Sequence, residues 1–202
     1  MPRYARNKIL SNYIHVIIQG INKEYIFNDE IEIKVYLKNL KEKIKDTNVK
    51  IISYCMMNNH AHFLIYYTDI TEVSKLMKMV NTKYAMFYNS YNNRCGIVFR
   101  NRYKSEEILT YSHLLTCIKY IHNNPVKAGM CDSADNYKYS SYNEYKERKG
   151  IILDWNFVQN NLKSCNIEIA NILYFEYKFS QKEISELIHV NRTKIQRTIY
   201  GK

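Results

Sequence analysis

"VKIISYCMMNNHAHFLIYY" (residues 49–67) is two apolar runs joined by two asparagines. Residues 49–57 and 60–67 are each strand-length and rich in β-branched and aromatic side chains. Met57-Asn58-Asn59 between them reads as a tight turn, so the stretch predicts a hairpin. Side chains two apart on a strand share a face. His60, His62, Leu64 and Tyr66 therefore lie on one side, and Ala61, Phe63, Ile65 and Tyr67 on the other. Two imidazoles side by side suit a metal ion, but a stray histidine on a strand is common. The rest of the chain has to choose.

Upstream, "YIHVIIQ" (13–19) reads as another strand, and "DEIEIKVYLKNLKEKIK" (29–45) as an amphipathic helix with Ile33, Leu37, Leu40 and Ile44 on its apolar stripe. Downstream, residues 71–91 form a long helix with Val73, Leu76, Met77, Val80, Tyr84 and Phe87 on its stripe. "GIVFRNRYKSEEIL" (96–109) reads as a fourth strand, bent where the arginines begin. A last helix starts near Tyr111, with Pro125 expected to stop it. The order β-α-β-β-α-β predicts an α+β fold: a ferredoxin-like, split βαβ sheet with helices on one face and an open face for a site. His60 and His62 would then sit on a central strand. Residues 1–150 are expected to form this domain, and 151–175 a connecting helical region. Residues 176–202 would form a helix-turn-helix-like extension. There, Ser180 and Glu183 make a capping box before Ile184, Leu187 and Ile188. Asn191 caps a second helix carrying Ile195 and Ile199. That helix is basic, and Arg192, Thr193, Lys194 and Arg197 on its polar sides are candidate DNA contacts; a plain helical hairpin is the competing reading.

Lys and Arg outnumber Asp and Glu by 30 to 19, giving a net charge of +11 and a pI near 9.3, a balance that favours polyanion partners, nucleic acid first. Five scattered cysteines with no CxxC pair argue against a disulfide framework or zinc knuckle, and for reduced thiols. No segment approaches ~20 apolar residues, so no membrane span and a cytoplasmic location are expected.

The helix "YSHLLTCIKYIHNNP" (111–125) bears on the histidine pair. Leu114, Leu115, Ile118 and Ile121 form its packing stripe, while Tyr120 and Asn124, one turn apart, share a face. Packed over the open sheet face, this helix would aim both at His60 and His62. Two imidazoles and an amide oxygen would then ligate a metal, with a phenol beside it. Tyrosine, with a pKa of ~10, is a weak nucleophile unless its electrophile is held and polarised, as a divalent cation does for a phosphoryl oxygen. Few carboxylates are available for two-metal hydrolysis, which points to covalent transfer. Tyr111 and Tyr103 are the rival nucleophiles among 20 tyrosines. His15 and His122 read as structural. His113 and Cys117 share the Tyr120 stripe. Arg100, Arg102 and Lys104 offer charges to phosphates, Tyr103 a stacking surface, and Lys127 a further DNA contact or merely a solvated charge.

"NNHAHFL" resembles the His-hydrophobe-His motif of HUH nucleases, and "GIVFRNRYKSEEI" with "HLLTCIKYIHNNPVKAG" (113–129) resembles the REP-associated subgroup of single-tyrosine transposases. "YARNK", "YIHVIIQG", "IFND" and "SSYNEY" follow in the same order, so the resemblance runs from about Pro2 to Tyr145. It implies a ferredoxin-like fold that nicks single-stranded DNA near hairpins. His60 and His62 would bind Mg²⁺ or Mn²⁺, Asn124 would be a third ligand, and Tyr120 would form a 5′-phosphotyrosine link. Relatives carry Arg-Gly after the first strand; this chain has Gln19-Gly20. A domesticated, non-cleaving binder of structured single-stranded DNA is the alternative, and a replication or mobilisation initiator ranks lower. Relatives act as monomers or as dimers exchanging tyrosine helices, and the sequence leaves that choice open.

Overall fold

The computed structural model describes residues 11–163, 170, 174–175, 179–188 and 192–200. The "YARNK" stretch, Cys165, the side chains of Glu183, Leu187 and Ile188, and the Asn191 cap lie outside the described residues.

Four strands, β1 (Tyr13–Gln19), β2 (Lys50–Met57), β3 (His60–Tyr66) and β4 (Lys104–Glu107), form one sheet in the order β2-β3-β1-β4, antiparallel throughout. The β2–β3 hairpin turns on Asn58 and Asn59, with Met57 opposite His60. Two helices connect the strands: α1 (Glu30–Ile44), whose N-cap Asp29 accepts from Glu32 N–H, and α2 (Ile70–Tyr91), capped by Asp69. Both present a buried apolar stripe to one sheet face. Ile14, Val16, Ile18, Ala61, Phe63 and Ile65 meet Tyr36, Leu40, Leu76, Val80 and Tyr84 in one core. The Tyr36 ring stacks at 5.9 Å on Phe63, and its hydroxyl donates to Asn81 of α2 at 2.8 Å, tying the two helices together. Each fully buried aliphatic or aromatic side chain here contributes about 1.5–3 kcal/mol. This is the split βαβ arrangement, with α1 and α2 on one face.

The third helix, α3 (Tyr111–Lys127), lies across the other face, where Leu114, Leu115, Ile118 and Ile121 are buried. Thr110 caps it by accepting from His113 N–H. Pro125 does not stop this helix; it sits inside it. A proline costs a helix the bond from its own nitrogen to the carbonyl four residues back and crowds that carbonyl, and α3 ends two residues later, at Lys127. Gly129, at φ +67°, closes it: its N–H donates to Val126 O at 3.0 Å and Met130 N–H to Pro125 O at 2.9 Å. The fourth strand is also shorter than 96–109. Phe99 makes only an isolated bridge to Gly20, and the strand proper begins at Lys104. Between them Asn81 donates to Arg102 O at 3.2 Å and Tyr103 hydroxyl bonds Ser74, so α2 pulls the chain out of the ladder.

Beyond α3, α4 (Tyr142–Glu147) is locked to β2. Glu144 accepts from the Tyr54 hydroxyl at 2.7 Å and from the backbone N–H of Ile151, Ile152 and Leu153. His122 is buried beneath it, 2.7 Å from Ser141 Oγ. Helices α5 (Trp155–Lys163), α6 (Gln181–Ile188) and α7 (Arg192–Tyr200) complete the described chain. The Tyr13 hydroxyl donates to Asn161 of α5, and Arg148 lies 4.9 Å over the Phe179 ring. No helix among the described residues is long and apolar enough to cross a membrane.

Candidate active site

The antiparallel register sets which side chains meet. Gln19, Ile17 and His15 on β1 stand opposite His60, His62 and Leu64 on β3, and Ile17 and His15 stand opposite Lys104 and Glu106 on β4. All share the face under α3. A cleft of about 220 Å³ opens there, lined by Ile17, Gln19, His60, His62, Arg100, Asn101, Tyr103, Lys104 and Tyr120. Its edge needs a glycine at position 20, because a Cβ there would come within 2.3 Å of Glu24 O.

Tyr120 hangs over the histidines. Its ring is 5.6 Å from that of His62 at 89° and 6.0 Å from that of His15 at 78°. It keeps 39% of its surface exposed, against 3% for His62. Lys127, two turns on, places its ammonium 5.3 Å from the centre of the Tyr120 ring. The His60 and His62 rings are 4.9 Å apart. His60 Nδ1 is 2.5 Å from Asn59 Oδ1, and His62 Nδ1 is 2.9 Å from His15 Nε2. The Nδ1 atom of each is thus engaged by a neighbour on the protein.

Burial keeps these rings neutral. It pushes His62 down to about 3, with the nearby His60 and His15 acting in the same direction. His60 is lowered by burial as well. His15 is lowered by burial and by His113, against the opposing pull of Glu106. A neutral imidazole offers a lone pair, so near pH 7 the pair is ready to hold a cation. Among the described residues no three His, Cys, Asp or Glu side chains gather to hold a metal. The two imidazoles of His60 and His62 are the metal-capable side chains that line the cleft.

The other expected site residues separate into those at the cleft and those away from it. Arg100 and Lys104 are exposed on its wall, and Tyr103 is half-buried with its hydroxyl on Ser74. Arg102 is exposed but does not line the cleft. Neither does Asn124, whose Nδ2 donates back to Tyr120 O at 3.0 Å. Arg192, Thr193, Lys194 and Arg197 are exposed on α7. Thr193 and Arg197 line a separate hollow with Gln196 and Tyr200. His15, read from sequence as structural, touches both His62 and Tyr120. Its signal is the alternation of β1, which puts His15 on the same face as Ile17 and Gln19.

The chain matches the family model "Transposase IS200 like" over residues 8–124, more than half of its length. No curated protein matches it. Among solved structures it resembles a REP-associated tyrosine transposase bound to a REP hairpin. The TM-score is 0.60 at 14% identity, over 71% of this chain and 84% of that one. A candidate transposase from Deinococcus radiodurans R1 aligns with a TM-score of 0.41 at 14% identity, over 60% of this chain and 97% of that one. The first of these structures shares the fold, and the family model spans the strands, the histidine pair and Tyr120: the chain belongs to the IS200-like transposase family.

Proposed function

We propose that the protein is a metal-dependent single-stranded DNA nicking and strand-transfer enzyme of the REP-associated tyrosine transposase kind, with Tyr120 as its nucleophile. The observation that carries this reading is the phenol ring 5.6 Å from a buried, neutral His62, inside one chain of a transposase family. Tyr120 Oη attacks the scissile phosphorus, and the bond from phosphorus to the 3′ oxygen breaks. The phenolic proton departs and the 3′ oxygen ends as a hydroxyl, leaving a 5′-phosphotyrosine. Attack on that link by a 3′ hydroxyl rejoins strands and restores the phenol. Phosphodiester energy is kept throughout, so no external energy source is required. A bound Mg²⁺ or Mn²⁺ would be held by His60 and His62 and would polarise the phosphate. Asn124 serves as a third protein donor if its amide turns away from the Tyr120 carbonyl.

Arg100 and Lys104 on the cleft wall meet the phosphates that flank the scissile bond, and Tyr103 stacks a base beside them. Lys127 meets the phosphate nearest the phenol. Arg102 and the α7 residues Arg192, Thr193, Lys194 and Arg197 contact DNA outside the cleft. The likeness to a transposase bound to a REP hairpin supports hairpin-flanked DNA as the substrate.

Incubating the protein with labelled single-stranded hairpin DNA and Mn²⁺ tests the reading. A slower-migrating covalent band is expected from wild type and from Tyr111→Phe, and none from Tyr120→Phe. Binding without any adduct would leave the non-cleaving binder.

A further inference from the structure

We infer that His15 is a positioning residue for His62: its Nε2 accepts the Nδ1 proton of His62 and keeps that ring in the tautomer whose Nε2 carries the coordinating lone pair. The inference rests on reading His60 and His62 as metal ligands, and concerns a residue outside that ligand set. The two rings are buried, with planes 18° apart and centroids at 5.1 Å, and they meet edge to edge, nitrogen to nitrogen, at 2.9 Å. A neutral imidazole has one N–H and one acceptor nitrogen, so a single proton lies between the rings. If His62 supplies it, His62 Nε2 is free to coordinate. If His15 supplies it, His62 must carry its own proton on Nε2 and cannot.

Coordination through His62 Nε2 admits only the first arrangement, because a neutral imidazole has one N–H and one acceptor nitrogen, and the neighbouring histidine follows it. His60 is already set the same way. The Asn59 amide nitrogen donates to Lys23 O at 3.3 Å, which turns Oδ1 toward His60, and an oxygen can only accept. His60 is therefore protonated on Nδ1. Both rings of the pair would then have a backed Nδ1–H and a bare Nε2, the arrangement that orients imidazole ligands. An apolar side chain at position 15 would leave the buried Nδ1–H of His62 without an acceptor, which is costly.

Long-range ¹H–¹⁵N spectra of the imidazoles in the metal-free protein read the tautomers directly. His62 is expected to be protonated on Nδ1; protonation on Nε2 would overturn the inference whatever the metal does. Mn²⁺ titration calorimetry supplies the consequence. His15→Phe, which fills the space without an acceptor, should weaken binding about 10- to 100-fold. His15→Gln, whose amide oxygen accepts, should stay within a few-fold of wild type, with thermal melts showing all three folded. Equal Mn²⁺ affinity in wild type and His15→Phe would refute a positioning role. Loss of Mn²⁺ uptake in wild type, with His62 still protonated on Nδ1, would sink the ligand reading and leave the pair as a packing contact.

Discussion

Tyr120 stands edge-on to His62 of its own chain, ring centroids 5.6 Å apart and planes at 89°. Helix α3, which carries Tyr120, thus reaches the histidine pair without help from a second subunit, because Leu114, Leu115, Ile118 and Ile121 seat it on the same sheet that carries His62.

A site completed within one chain predicts that mixing fails to rescue. Tyr120→Phe protein combined with His60→Ala/His62→Ala protein should form no covalent DNA adduct above background. The wild-type adduct rate per molecule should not change with protein concentration at saturating DNA. Restored activity in the mixture would mean that helices exchange between subunits.

The Lys127 ammonium lies 5.3 Å over the Tyr120 ring. An exposed cation–aromatic contact of this kind is worth about 0.5–1 kcal/mol. Set against the negative charge that develops on the phenol as it loses its proton, the ammonium should speed attack, so Lys127→Met should slow adduct formation about 2- to 5-fold at saturating DNA, and Lys127→Arg should retain most of the rate. Single-turnover gels measure both; an unchanged rate in Lys127→Met would reduce the lysine to a solvated charge.

His122 makes folding pH-dependent in a fixed direction. Burial pushes it down to about 3, while in the unfolded chain it takes a proton near 6.5. Between those values the unfolded state binds a proton that the folded state refuses, so stability falls as pH falls, by about 1.4 kcal/mol per pH unit for this one group. His62 adds a parallel loss. Urea unfolding of wild type and His122→Asn from pH 6 to pH 4 should show the variant's slope shallower by about that amount. Equal slopes would mean that His122 accepts a proton in place.

Exposed cations on α7 predict a change in salt dependence rather than in chemistry. Replacing Arg192, Lys194 and Arg197 with alanine should weaken hairpin DNA binding and flatten the plot of log affinity against log salt by about 2–3 units. The nicking rate at saturating DNA should hold. Filter binding across a salt series measures the slope, and an unchanged slope would make α6 and α7 a plain helical hairpin.

Much of the frame was legible from local pattern. Short apolar runs rich in β-branched and aromatic residues marked β1, β2 and β3 to within a residue, because helices cover both faces of the sheet and Ile51–Met57 and Ala61–Ile65 are buried throughout. The apolar stripes of α1, α2 and α3 follow from the 3.6-residue period. Where the reading missed, a long-range contact won. The fourth strand is cut short by Asn81 and Ser74, partners roughly twenty to thirty residues away in sequence. Pro125 looked like a stop because the Gly129 closure one turn later carries no periodic signal. His60, His62 and Tyr120 stood out through spacing. His15 did not, because its role depends on the β1–β3 register, which no single stretch of sequence displays. Asn124 shows the limit of face-matching: it shares the turn with Tyr120, yet its amide bonds its own helix.

The most direct test is to digest the covalent adduct with protease and sequence the modified peptide by mass spectrometry. The account predicts a 5′-phosphorylated nucleotide on Tyr120 and, on the released strand, a 3′ hydroxyl that a polymerase can extend. A nucleotide on any other tyrosine, or one joined through its 3′ phosphate, would contradict it.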